Sequence, residues 1–355
     1  MRQTRTALRQ IPLAGTAPPA LAYPVTAMIA AVIPCFRVKN EILGVLAAMP
    51  PECQRIYVVD DACPEGSGDL VESACQDPRV RVLRHARNEG VGGATLTGYR
   101  AALADGASVI VRLDGDGQMD PREIPRLVRP ILDGDADYAK GNRFFELEGL
   151  RAMPRLRLVG NSLLSFASKL SSGYWNVFDP NNGFTAIHAD VLRRLPLEKL
   201  AQRWFFESDV LFRLGTLRAV VCDVPMTARY ENEKSSLVIR HVAGEFAVRH
   251  AANAVKRIFY NYYLRNFNIA SIEIAVGLPL LLFGAWVGVT RWIDGYLHGV
   301  PQTSGTVMLA ALPVIVGMQL LLAFLSYDLS NVPRDVLHRR LVEPPRRTPT
   351  TTNSL

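Results

Sequence analysis

Val109-Ile110-Val111-Arg112-Leu113-Asp114-Gly115-Asp116-Gly117-Gln118 is the stretch that decides the fold. Its first half is a short, mostly apolar run that predicts a buried strand. The strand empties into a loop that two glycines loosen and that carries two carboxylates one residue apart. Oxygen donors so placed suit a divalent cation that is itself holding a diphosphate. An Asp-Gly pair is also hairpin-turn chemistry, so the neighbouring segments have to decide between the two.

Upstream, short apolar runs alternate with helical patterns. Met28 to Pro34, Ile56 to Asp61 and Val80 to Arg84 read as strands, and Ala94 to Asp105 as a helix with an apolar face. Such alternation predicts a doubly wound α/β sheet whose ligands gather beyond the carboxyl ends of the strands. Asp60 and Asp61 close the second strand, where they are placed to accept hydrogen bonds from a base or a ribose hydroxyl. Asn88-Glu89-Gly90-Val91-Gly92-Gly93-Ala94 opens the helix with three glycines, which predicts close backbone approach and helix N-terminal amides open to a ligand. This segment lacks the dinucleotide-binding spacing after the first strand, and the chain has no Gly-Lys-Ser phosphate loop, which argues against dehydrogenase and ATPase readings.

The composition adds a membrane. Of 355 residues 49 % are hydrophobic, and the excess gathers near the C-terminus. Residues 268–290 and 306–327 each reach the roughly 20 apolar residues that a spanning helix needs. Pro279 and Pro313 are tolerated more readily there than in soluble helices. Arg249, Lys256, Arg257 and Arg265 precede the first span, whereas Arg334, Arg339, Arg340, Arg346 and Arg347 follow the second. The positive-inside rule then puts both termini and the N-terminal domain in the cytoplasm, with a short loop outside. Residues 244–267 carry apolar side chains at helical spacing, predicting an interfacial helix anchored by Tyr260, Tyr262, Tyr263 and Phe267. The net charge of +7 reads as attraction to anionic lipid headgroups, since no recognition module for nucleic acid accompanies it. Five cysteines without metal spacing read as reduced thiols. Residues 1–27 read as a disordered arm, 28–243 as the catalytic domain and 328–355 as a basic cytoplasmic tail with an unstructured end.

With these pieces in order, the chain resembles the family-two glycosyltransferases of the GT-A fold, specifically the membrane-bound polyprenyl-phosphate branch. The resemblance runs from about Met28 to Leu237. Its most specific parts are Asp114-Gly-Asp116-Gly-Gln118-Met-Asp120-Pro121, the Asn88 glycine segment, Gly141-Asn142-Arg143-Phe144 and Asp179-Pro180-Asn181-Asn182-Gly183-Phe184. It implies an inverting transfer of one sugar from a UDP- or GDP-sugar to an undecaprenyl- or dolichyl-type phosphate. By that resemblance Pro34, Asp60, Asp61 and Asp114 lie near the nucleotide, Asp116 and Gln118 hold Mg²⁺ or Mn²⁺, and Arg143, Arg157 and Asn161 hold the acceptor phosphate. Pro34-Cys35-Phe36-Arg37-Val38 departs from the family's usual acidic pattern after the first strand, which leaves the nucleobase open.

Elementary chemistry favours the same acceptor. A phosphate monoester, with a second pKa of about 6, is already largely an anionic nucleophile at neutral pH. Its site must supply positive charge and geometry more than basicity, and arginine suits that task. Asp209 is therefore expected to position the donor sugar, with Glu207 nearby in Trp204-Phe205-Phe206-Glu207-Ser208-Asp209. Residues 230–236 resemble a mobile acceptor loop in which Lys234 and Ser235 close over phosphates. His85, His188, His241 and His250 receive no role. A processive or hydroxyl-acceptor enzyme is one alternative, although Leu200 stands where the processive motif ahead of Arg203-Trp204 has glutamine. A catalytically silent scaffold is another, and the small membrane footprint leaves room for a homo-oligomer.

Overall fold

The computed structural model describes residues 27–145, 155–180, 182–227 and 239–341, and the side chains of 155–159, 161 and 239–243 are outside that description. The expected N-terminal arm, the acceptor loop with Lys234 and Ser235, and the end of the tail lie outside the described residues. Four parallel strands form one half of a seven-stranded sheet: β1 (Ile29–Cys35), β2 (Cys53–Asp60), β3 (Val80–Arg84) and β4 (Val109–Arg112). The other half holds β5 (Tyr138–Asn142), β6 (Thr185–His188) and β7 (Val221–Pro225), and the spatial order is β3-β2-β1-β4-β6-β5-β7. Among the described strands only β6 runs against its neighbours.

Alternation along β1 explains the layers. Ala31 and Ile33 join one core with α1 (Ile42–Ala47), α2 (Ser67–Ala74) and α4 (Ile124–Leu132). Ala30 and Val32 join a second core with α3 (Val91–Ala104) and α7 (Phe206–Leu217). Both faces of the sheet are thus covered, which is why its strands read as continuous apolar runs. Between β5 and β6 lies α5 (Arg155–Ser172), and α6 (Ala189–Leu192) follows β6.

Beyond the sheet, α8 (Ile239–Phe259) continues through a π-helical turn (Tyr260–Arg265) to α9 (Ile269–His298) and α10 (Ser304–Ser330). The last two are long and apolar enough to cross a membrane. Only 17 % and 11 % of their most apolar windows is buried within the chain, so their surface calls for apolar surroundings. Both helices run past the expected limits of 290 and 327. α8 starts before 244 and leaves Val248, Val255 and Phe259 exposed.

Two expectations for this region need correcting. Arg257, counted among the basic residues that precede the first span, is buried and pairs with Asp328 of α10 through Nη1–Oδ1 at 2.7 Å and Nη2–Oδ2 at 2.9 Å. Tyr262, expected as an interfacial anchor, is buried as well and donates to the same carboxylate at 2.5 Å. Trp175 Nε1 donates to it too, at 2.8 Å. A helix that meets both lipid and protein can carry its polar groups inward, because a buried carboxylate demands partners. One aspartate therefore ties α8 and α10 to the loop after α5.

The chain then returns to the catalytic domain instead of trailing away as a tail. α11 (Leu337–Leu341) places the amides of Leu337 and His338 on the Asp137 carboxylate, each at 2.8 Å, and the His338 ring stacks on His188 at 4.1 Å. Burial alone would raise the Asp137 carboxyl, but the His338 ring and the surrounding amides hold it below the usual range.

Asp328→Ala should destabilise the protein by about 3–5 kcal/mol, because it strands a buried guanidinium. Glu245→Ala, which breaks an exposed helical pair with Arg249, should cost under about 1 kcal/mol. Thermal unfolding of the detergent-solubilised full chain compares the two, and equal melting curves would contradict the assignment of Asp328 as a tie.

Candidate active site

Arg112, the last residue of β4, is a charge inside an otherwise apolar strand and is 2 % exposed. Such a group must be paired. Its Nη1 donates to Glu207, on the first turn of α7, and its Nη2 donates to Asp114 at 2.8 Å. The Phe206 ring lies 5.8 Å from the guanidinium carbon. Beyond Arg112 the loop surfaces, so Asp114, Asp116 and Gln118 are half-buried and its fold is held by local contacts. The Gln118 amide donates to Asp116 Oδ1 at 3.1 Å, and Asp120 caps the next turn through Arg122 N at 3.0 Å.

The donor set fits a hard cation. Among the described residues no three His, Cys, Asp or Glu side chains converge on one point. Two carboxylates and an amide oxygen on one loop nevertheless match the way Mg²⁺ is held, through one or two carboxylates with substrate phosphates completing the shell. Asp116 and Gln118 are the residues that would hold it.

The reversed strand β6 supplies the other half of the site. Thr185, at its start, is registered with Arg112 of β4 and with Lys140 of β5. The residues before it, 179, 180 and 182–184, therefore lie at the carboxyl ends of the parallel strands. Gly183 sits against the acidic motif so closely that a Cβ there would stand 2.6 Å from Asp114 Oδ2 and 3.0 Å from Arg112 Nη2. Asn182 donates to the Gly141 carbonyl at 2.7 Å, and the buried Lys140 ammonium donates to the Asn182 carbonyl. Burial lowers Lys140 to about 8, although Asp179 and Glu207 oppose the shift. Asp179 is buried and grips Arg143 by two edges, Nε–Oδ2 at 2.7 Å and Nη2–Oδ1 at 3.0 Å. One short segment thus joins the Asp114 loop to the Arg143 loop.

The nucleotide side differs from what the sequence predicts. Pro34 is half-buried at the end of β1. Asp60 and Asp61 are 4 % and 2 % exposed, and both are engaged by the protein. Asp60 accepts from the Cys63 amide at 2.8 Å. Asp61 accepts from the amides of Glu89 and Gly90, each at 2.8 Å, and contacts His85 Nδ1 at the same distance. The amides just ahead of α3 are therefore filled by a side chain, and the Gly93 amide in its first turn, expected to stay open to a ligand, donates to the Gln202 carbonyl at 3.0 Å. The glycines serve close approach, but of protein: a Cβ on Gly90 would stand 2.7 Å from the Gln202 carbonyl, and one on Gly92 2.5 Å from that of Ala201.

Asp209 also faces elsewhere than expected. Two residues apart on a helix, Glu207 and Asp209 point in nearly opposite directions. Glu207 reaches Arg112, whereas Asp209 accepts from Ala201 N at 3.0 Å and Arg213 Nε at 3.2 Å. Positions 157 and 161 lie on α5, their side chains outside the described residues. Sequence reasoning overlooks Arg112, Lys140, His85 and the hold of Asp179 on Arg143. A charged residue within an apolar strand was the available signal for Arg112 and Lys140, because burial obliges such groups to have partners.

The chain is similar to known proteins in sequence and in fold. The sequence model described as glycosyl transferase family 2 matches residues 30–196. An undecaprenyl-phosphate mannosyltransferase of Micrococcus luteus is 32 % identical over 208 residues, 58 % of this chain and 84 % of that protein. A UDP-N-acetylglucosamine–dolichyl-phosphate N-acetylglucosaminyltransferase of Methanococcus voltae is 33 % identical over 152 residues, 43 % of this chain and 60 % of its own. The crystal structure of glucosyl-3-phosphoglycerate synthase from Mycobacterium tuberculosis with Mn²⁺ and uridine diphosphate aligns over 65 % of this chain and 80 % of that one, with a TM-score of 0.47 and 18 % identity. The GT-A sheet and the identity to the Micrococcus enzyme lead to one conclusion: the chain belongs to glycosyl transferase family 2 and is a glycosyltransferase.

Proposed function

We propose that this enzyme transfers one sugar, with inversion, from a nucleotide diphosphosugar to a polyprenyl phosphate at the membrane surface. The observation that carries the reading is the 179–184 segment, which sets an acidic loop suited to a cation-bound diphosphate beside an arginine suited to a phosphate monoester. The named activities of the Micrococcus and Methanococcus relatives support the acceptor class and differ in the sugar. UDP and GDP both remain candidates for the donor nucleotide.

In this reading Asp116 and Gln118 hold Mg²⁺ or Mn²⁺, with Asp114 beside the donor. When bound, the ion neutralises charge growing on the departing diphosphate. Pro34 and the loops fixed by Asp60 and Asp61 border the nucleoside. Asp179 holds the Arg143 fork in place to receive the lipid phosphate, together with Arg157, Asn161, Lys234 and Ser235. That phosphate oxygen attacks the anomeric carbon from the face opposite the leaving diphosphate, so its approach inverts the centre. The acceptor is already anionic, so a general base is not required. Glu207 and Asp209, both held by arginines, are consistent with this economy. A hydroxyl acceptor, by contrast, would need a carboxylate at its oxygen.

α9 and α10 span the bilayer in this proposal, both termini are cytoplasmic, and α8 rests in the headgroup plane. Lipid substrate then arrives laterally, at the height of Arg143.

Purified full-length protein incubated with undecaprenyl phosphate and a panel of UDP- and GDP-sugars should form a glycosylated lipid phosphate detectable by mass. Transfer only to a hydroxyl acceptor would contradict the reading. Asp116→Ala should lower metal-dependent transfer at least about a hundredfold, and undiminished turnover would remove the metal assignment. Asp179→Asn should raise KM for the lipid phosphate about tenfold and leave donor hydrolysis near wild type, because the arginine loses its charge-assisted hold. Equal loss of both rates would argue against an acceptor role for Arg143.

A further inference from the structure

Glu207 carries no substrate contact in the mechanism above, yet it is 8 % exposed and directed at Arg112. An ion pair that served only to close α7 onto β4 would need two partners. Here the guanidinium is divided between two carboxylates, one buried on α7 and one at the rim of the acidic loop. Phe206 lies 5.8 Å from the guanidinium carbon, and Gly183 lies beside Nη2, where a Cβ would stand 3.0 Å away, so its neighbours restrict the plane of the fork. Arg112 Nε has no partner among the described residues, where the group bonds through its two Nη edges. A guanidinium fixed at one end by Glu207 has only one direction in which to aim the other.

We propose that Arg112 is a positioning residue for the donor site and that Glu207 acts through it, the pair setting the orientation of Asp114 toward the cation-bound diphosphate. The inference rests on reading the Asp114 loop as the donor pole. It assigns Glu207 a role distinct from a base acting on substrate: the carboxylate steers an arginine, and the arginine steers the carboxylate that faces the donor. Lysine carries the same charge but lacks the fork, so it cannot hold both carboxylates in these places.

The test uses the full chain in detergent with four variants: Arg112→Lys, Arg112→Gln, Glu207→Gln, and Arg112→Gln combined with Glu207→Gln. Affinity for Mn²⁺ alone, for Mn²⁺ with UDP and for Mn²⁺ with GDP is measured by calorimetry, alongside melting temperature and kcat and KM for transfer. Arg112→Lys should keep a near-native melting temperature yet lose about tenfold in Mn²⁺–nucleotide affinity, the effect of one misdirected charged hydrogen bond. Glu207→Gln should weaken the same affinity, and the double variant should bind no worse than Arg112→Gln, since both substitutions break one relay. Multiplying losses in the double variant, or Glu207→Gln that lowers kcat with nucleotide affinity intact, would show Glu207 acting independently and overturn the inference. Unchanged affinity in Arg112→Lys would overturn it as well. Should Arg112→Gln alone fail to fold, Arg112→Lys and Glu207→Gln decide the matter. A wild-type protein that binds neither Mn²⁺–UDP nor Mn²⁺–GDP would instead overturn the donor reading itself.

Discussion

β6 runs antiparallel between two strands that are parallel to each other, and the site depends on that reversal. A parallel strand in its place would deliver its preceding segment to the opposite edge of the sheet. Because Thr185 is registered with both Arg112 and Lys140, the residues before it come to lie where β4 and β5 end. Asp179, Asn182 and Gly183 then touch both loops at once. The cation-suited and anion-suited poles are neighbours through this segment, and the buried charges beneath them follow from its path. Lys140, Arg112 and Glu207 are all held under it, each with a partner. Each of these buried charges needs its partner, which ties the geometry of each loop to that of the other.

Membrane attachment connects to the same body. Asp328, near the end of α10, meets Arg257 of α8 and Trp175 after α5, while α11 returns to Asp137 at the start of β5. β5 is the strand that leads to Asn142 and Arg143. The membrane helices are thus tied to the catalytic domain through Trp175, and the returning chain is tied to it through Asp137, at the start of the strand that leads to the proposed acceptor site. The apolar residues left exposed on α8 face the opposite way from these polar ties. On this helix Arg257 lies inside while Val255 lies outside.

Much of this was legible in the sequence because the strands are short apolar runs and the acidic loop has a distinctive spacing. β1, β2, β3 and β4 fall within a few residues of their expected places. β6 was not legible: four residues, Thr185–His188, carry too little pattern to show direction. The glycines of residues 90–93 illustrate a different limit. Glycine permits close approach without stating what approaches, and here the visitor is the backbone of residues 201 and 202. Asp209 and Glu207 sit in the same short motif, and only the rotation of α7 separates the residue that reaches the donor loop from the one that braces residue 201. Arg257 reads by position as one more basic residue flanking a span, yet a carboxylate 71 residues away claims it. Long-range partners of charged side chains are the part of a fold that local pattern leaves open.

The central claim is that the acidic loop and the Arg143 loop serve one reactant pair in one cavity. It can be read directly from the ³¹P resonance of undecaprenyl phosphate bound to the full chain in detergent, recorded with diamagnetic Mg²⁺ and then with paramagnetic Mn²⁺, each with the nucleotide diphosphate that binds. The account predicts strong Mn²⁺-dependent broadening of the lipid phosphate line, lost in Asp116→Ala. A line that stays sharp while lipid, nucleotide and Mn²⁺ are all bound would place the two poles in separate cavities and contradict it.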